Sequence, residues 1–129
     1  MASGLTLQDS KAQIFRTLGH PTRVRILERL RAGEQTVSAL QADLGIEGNA
    51  ISQQLAALRS GNIVEGRKEG TNVYYRVSDE NIFVILDAAR AIFNNHLLRL
   101  NALADDDVPV LAANGMHDHD TAELTSKVS

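Results

Sequence analysis

Hydrophobic periodicity switches twice along this chain, from helical to alternating after Gly61 and back to helical at Asp79, and this restricts the fold more than any other feature. The alternating part holds two short strand-like runs, 63–68 and 71–77, joined at Glu69-Gly70. The pattern predicts one small β-hairpin set between a helical array and a long final helix.

Four helices are predicted before the hairpin. Leu7, Lys11, Ile14, Phe15 and Leu18 recur at helical spacing up to Gly19, giving an amphipathic helix over 6–18. A second helix starts at His20-Pro21-Thr22-Arg23, where Pro21 occupies a first-turn position whose N–H has no helical partner anyway. It is buried through Val24, Ile26, Leu27 and Leu30 and stops at Gly33. Thr36 is the expected N-cap of a short third helix, 37–44, with Val37, Leu40 and Leu44 inward and Gly45 at its end. The turn Gly45-Ile46-Glu47-Gly48 leads into a fourth helix over 48–60, so that short helix, tight turn and helix follow one another as a helix-turn-helix.

The fourth helix has two unlike faces. Ile51, Leu55 and Leu58 fall in one narrow stripe, whereas Asn49, Gln53, Ala56 and Ser60 fall opposite. Such a helix can dock by its aliphatic side and present short amides to a DNA major groove, where Asn and Gln read adenine edges and small side chains meet thymine methyls. The hairpin that follows is then a wing, with Arg67, Lys68, Thr71 and Asn72 at its tip to reach phosphates or an adjacent minor groove.

From Asp79 to Leu103 runs the longest helical pattern, rich in apolar residues that include Phe83, Leu86, Ile92, Phe93, Leu97 and Leu100. A small winged domain has too few elements to cover so wide a stripe, and a two-fold contact between copies is the economical solution. The expected interface joins these six to Ile14 and Leu18 of the first helix. Residues 104–129 read as an acidic, His-containing flexible tail outside the 1–103 domain. Charge follows the same division. Residues 1–78 carry ten Lys/Arg against seven Asp/Glu, a net +3; residues 79–129 carry three against nine, a net −6. A basic part joined to an acidic part is a polyanion-binding pattern hidden by an overall charge of −3.

Three motifs in order carry a family resemblance: 18–27 (Leu-Gly-His-Pro-Thr-Arg-Val-Arg-Ile-Leu), 51–59 (Ile-Ser-Gln-Gln-Leu-Ala-Ala-Leu-Arg) and 70–75 (Gly-Thr-Asn-Val-Tyr-Tyr). Over about 11–103 the chain resembles the ArsR/SmtB winged helix-turn-helix repressors. The resemblance implies a mainly α fold in the order α1-α2-α3-α4-β1-β2-α5, dimerised through its first and last helices. It further implies binding to an inverted repeat in promoter DNA and release by an effector. By the same resemblance Ser52, Gln53 and Gln54 match the recognition helix and residues 67–72 the wing; Thr36 and Arg59 complete the expected DNA contacts. Two positions depart from the family pattern: Glu47-Gly48 stands where a Ser or Thr cap is frequent, and Ala56 where a Lys is frequent.

The chain has no Cys, which excludes the thiolate metal site that many such relatives carry in the third helix. Carboxylate–imidazole pairs of the last-helix kind are incomplete, with Ala89 two positions after Asp87 and Arg99 and Leu100 after His96. The donors left for a nickel, cobalt or zinc effector are His96 with His117 and His119 of the tail, while His20 reads as a helix-entry residue. No cofactor is expected to be required, and a divalent metal effector is the alternative. Phosphate loops and nucleophile–base pairs are missing, so catalysis is not expected; a partner-binding module without specific DNA binding is the other alternative. No apolar run suits a membrane span and no signal pattern opens the chain, which points to the cytoplasm.

Overall fold

The computed structural model describes residues 5–104. Its elements are α1 (Leu7–Leu18), α2 (Pro21–Arg29) continued by a 3-10 turn (Leu30–Ala32), α3 (Val37–Leu44), α4 (Gly48–Ser60), β1 (Val64–Glu69), β2 (Asn72–Val77) and α5 (Asn81–Ala104). This is the predicted winged helix-turn-helix order. The expected tail lies outside the described residues, and with it His117 and His119. One compact unit runs through Phe83 and a second begins at Val84, a division that falls inside α5.

Local chemistry sets each helix boundary. Thr6 and Asp9 form a reciprocal capping box at the start of α1. His20 caps α2 through Nδ1, which accepts from the Thr22 amide at 3.1 Å, and Thr36 caps α3 by accepting from Ala39 N at 3.1 Å. The α3–α4 turn works because Gly45 takes the left-handed conformation, φ 67°. At the far end of α4 the left-handed residue is Asn62, φ 63°, and not Gly61. Ile63 N donates to Leu58 O and Asn62 N to Arg59 O, a Schellman closure whose two apolar members, Leu58 and Ile63, are both buried. Gly61 is demanded by packing instead: a Cβ there would lie 2.8 Å from the Thr17 side chain of α1.

The core of the first unit is aliphatic apart from Phe83 at its end. Ile26 and Leu27 of α2, Leu40 of α3 and Ile51, Leu55 and Leu58 of α4 are essentially inaccessible, so α4 is held by the stripe its periodicity predicts. Polar ties add to it. Arg23 of α2 reaches the Thr17 carbonyl and the Gln54 side chain, and Arg25 donates to the Leu44 carbonyl at the end of α3.

The hairpin pairs antiparallel from Val64↔Val77 to Glu69↔Asn72, closed by Gly70 and Thr71, with only Gly70 at positive φ, as a type II′ turn requires. A third chain segment joins it, since Gln35 exchanges two backbone bonds with Tyr75, at 3.0 and 2.8 Å. The wing is thereby tied to the connection before α3. The last helix starts two residues later than its periodicity suggests because Asp79 serves as its cap: Oδ1 accepts from Asn81 N and its carbonyl from Ile82 N.

Candidate nucleic-acid interface

Opposite the buried stripe of α4, Asn49, Ser52, Gln53, Ala56, Arg59 and Ser60 are all exposed. The outermost strip, Asn49, Gln53, Ala56 and Ser60, carries no charge. Amides and a hydroxyl on a rigidly docked helix can exchange directed hydrogen bonds with base edges, while a methyl gives an apolar contact. Such a strip discriminates but grips phosphate poorly.

Gln54 sits differently. About 60° from Ile51 on the helical wheel, it is half-buried, and its side-chain oxygen accepts from Arg23 Nε at 2.8 Å. The structure therefore places Gln54 among the residues that hold α4 and Gln53 among those that face outward. Thr36, also expected at the DNA, caps α3; while its oxygen accepts from Ala39, the hydroxyl proton stays available to an acceptor outside. Glu47 occupies the N-cap of α4 without a side-chain cap bond.

The wing holds the largest difference from a simple basic tip. Arg67 makes a forked pair with Glu34, Nη2 to Oε1 at 2.7 Å and Nε to Oε2 at 3.2 Å, and a further bond from Nη1 to Glu69 Oε1 at 2.7 Å. Its guanidinium carbon also lies 5.0 Å from the centre of the Tyr74 ring, which is directly opposite in the strand register. The Arg67 bond holds the Glu34 carboxyl below the ordinary carboxylate range, and the two carboxylates push the Arg67 guanidinium further up. Arg76 is paired across the strands with Glu65 at 2.8 Å. Lys68, Thr71 and Asn72 are exposed near the turn with no side-chain bond among the described residues. Glu34 lies 33 residues before Arg67, and no local sequence signal announces the pair; Tyr74 becomes legible once the two-residue turn fixes the register.

Large apolar side chains are left exposed on the terminal helices. In the first unit they are Leu5 and Leu7 at the start of α1 and Phe15 within it; in the second they are Val84, Ile92, Leu98 and Leu103 of α5. Among the expected interface residues Leu18, Phe83 and Leu86 are buried, Ile14, Phe93, Leu97 and Leu100 are half-buried and Ile92 is exposed. His96 is exposed on α5, and no three His, Cys, Asp or Glu residues come together as a metal-binding group among the described residues. None of the described helices is long and apolar enough to cross a membrane.

Comparison with known proteins agrees with this geometry. A helix-turn-helix domain model matches residues 18–67. An uncharacterized HTH-type transcriptional regulator of Mycobacterium tuberculosis is 36% identical over 97 residues, covering 74% of this chain and 85% of the relative. Its crystal structure superimposes with a TM-score of 0.62 at 33% identity, over 81% of this chain and all of that one. The biofilm growth-associated repressor of Agrobacterium fabrum is 37% identical over 82 residues, 64% of this chain and 70% of the repressor. A homodimeric winged helix-turn-helix DNA-binding domain from Mycobacterium bovis, described as a possible ArsR-family regulator, gives a TM-score of 0.64 at 33% identity over 75% of this chain and 94% of that domain. A charge-free exposed strip on a helix docked by its opposite side, a wing beside it and relatives that are transcriptional regulators and repressors lead to one assignment: the chain belongs to the ArsR/SmtB family of winged helix-turn-helix DNA-binding transcriptional regulators.

Proposed function

We propose that two copies of this chain bind an inverted-repeat operator in cytoplasmic promoter DNA and repress transcription, each copy laying α4 in a major groove about 34 Å from the other. The observation that carries this reading is the exposed strip Asn49-Gln53-Ala56-Ser60 on a helix whose other side is fully buried. Dimerisation is supported by the seven large apolar side chains that are exposed among the described residues, which lie on α1, just before it, or on α5. Operator binding requires no metal, catalysis has no part in it, and an effector that loosens the dimer or tilts α4 would release the DNA.

The experiment is recovery of genomic fragments by the protein at about 150 mM salt, followed by binding in the presence of EDTA. A shared inverted repeat and unchanged affinity after chelation support the reading. Equal retention of every duplex removes the specific operator. Loss of binding in EDTA, or a change on adding micromolar nickel, cobalt or zinc, favours the metal-responsive alternative through His96 and the His117/His119 segment.

A further inference from the structure

The wing of a DNA-binding protein is expected to offer cations to phosphates, yet here two of its three cations face carboxylates. Arg67 has Glu34 on two nitrogens and Glu69 on the third, with Tyr74 against its face; Arg76 has Glu65. Counting Glu65, Glu69 and Glu34 against Arg67, Lys68 and Arg76, the wing and its anchor are electrically neutral. Forked Arg–carboxylate geometry is directional, but the group is exposed, so the pair is weak enough to be exchanged.

Resting on the DNA reading above, we propose that Glu34 and Glu69 act as an electrostatic brake on the wing: they hold Arg67 away from the phosphate backbone and lower the sequence-independent share of DNA affinity without touching base preference. The physical ground is ion exchange. An arginine that moves from water to a phosphate releases a condensed counterion, which is the origin of the salt dependence of DNA binding. An arginine that stays bonded to two carboxylates neutralises no phosphate and displaces no condensed counterion from the duplex. The net release is close to nothing. Arg67 in the parent chain is therefore nearly silent in salt titrations, and Lys68 carries the wing's phosphate contact.

The test measures affinity for the recovered operator and for a random-sequence 20-bp duplex across a salt series. It compares the parent with E34Q/E69Q, E69Q alone, R67A, E34Q/E69Q/R67A and E80Q, the last removing one negative charge beyond the base of the hairpin. E34Q/E69Q is expected to tighten both duplexes by the same factor, about tenfold at low salt, and to steepen the log–log salt slope by about 0.9, one phosphate's worth. E69Q, which keeps the Glu34 fork, gives a smaller change in the same direction and serves if the double variant folds poorly. R67A alone stays within about twofold of the parent, and the triple variant loses the gain. The brake is overturned if E34Q/E69Q behaves like the parent or like E80Q, if the gain survives in the triple variant, or if R67A flattens the slope by a full unit. A parent chain that binds operator while the variants change nothing removes the brake alone; a parent that binds no duplex removes the DNA reading and the brake with it.

Discussion

Arg23 on α2 donates from Nε to the side-chain oxygen of Gln54 on α4 at 2.8 Å, while its Nη1 donates to the carbonyl of Thr17 on α1 at 3.1 Å. One guanidinium thus fixes the recognition helix against both helices behind it. Replacing Gln54 by Ala leaves a half-buried charge with one acceptor fewer and should cost about 1–2 kcal/mol of folding stability. For a domain of this size that corresponds to a fall in melting temperature of roughly 4–8 °C per kcal/mol. Operator affinity should drop because α4 is held less firmly, with base preference unchanged. Selection from randomised operators checks this: a shift in preferred base on Gln54→Ala would put that side chain in the groove.

Gly48, the first residue of α4, and Gly61, just past its last, should respond oppositely to Ala. At Gly61 a Cβ meets Thr17 Cγ2 and Oγ1 at 2.8 Å, and Thr17 is itself buried and bonded to the Gln13 carbonyl, so neither side can yield. Since φ is −85° the penalty is steric alone, about 1–3 kcal/mol of overpacking. At Gly48 the atom met at 2.8 Å is Gln41 Oε1, the free end of an exposed side chain that can swing away. Gly48→Ala should be neutral or mildly stabilising, by less than about 1 kcal/mol. Urea unfolding distinguishes them, and Thr17→Ala in the Gly61→Ala background should recover part of the loss.

Periodicity was enough to place the helices, the wing and the outward strip of α4, because each depends on residues three, four or two positions apart. The change of period after Gly61 marks where α4 ends, but not why a glycine stands there. The left-handed turn belongs to Asn62, and Gly61 answers to Thr17, 44 positions earlier, which no local pattern contains. The assignment of Gln54 to the DNA came from motif likeness, although its angle on the wheel already set it beside the core stripe. Gln35 joining the wing and Glu34 holding Arg67 are contacts between segments far apart in sequence, invisible until the chain is folded.

At the start of α1 the Thr6 amide donates to Asp9 Oδ2 and the Asp9 amide to Thr6 Oγ1, both at 3.0 Å. The Thr6 backbone bond, followed by its hydroxyl, lowers the Asp9 carboxyl below its ordinary value of 3.8. A carboxylate stabilised in the folded state contributes stability at neutral pH, above its unfolded value, and that stability is lost as pH falls through the lower folded value. The first turn of α1 should therefore be intact at neutral pH and fray only below about pH 4. Asp9→Asn should fray it at neutral pH. Amide chemical shifts of residues 6–10 across an acid titration read this directly; fraying that sets in near neutrality would contradict it.

The exposed apolar side chains give a test of assembly. Phe15 is 61% exposed, Ile92 68% and Leu98 59%, and covering a side chain of this size contributes about 1.5–3 kcal/mol. Phe15→Glu and Ile92→Glu, made separately, should each shift the protein toward monomer in sedimentation equilibrium while leaving the helical circular-dichroism signal intact. Operator affinity should fall with dimer content, since a single half-site contact must then bind alone. A variant that remains dimeric at micromolar concentration places the contact elsewhere.

Gln53 provides the sharpest separation between reading and gripping. Its side chain is exposed at the centre of the charge-free strip, and no group among the described residues bonds to it, so its amide can pair with an adenine edge. Gln53→Ala should cost on the order of 1–3 kcal/mol at the operator and relax preference at one position of each half-site, with the salt slope unchanged. Lys68→Ala should do the reverse, weakening operator and random duplex alike and reducing the slope by about 0.9 while base preference stays the same. Both variants keep the core and the Arg67 clamp, so the two effects report on the interface and not on folding. If Gln53→Ala left every position's preference unaltered, the outward strip of α4 would not be the surface that reads the operator.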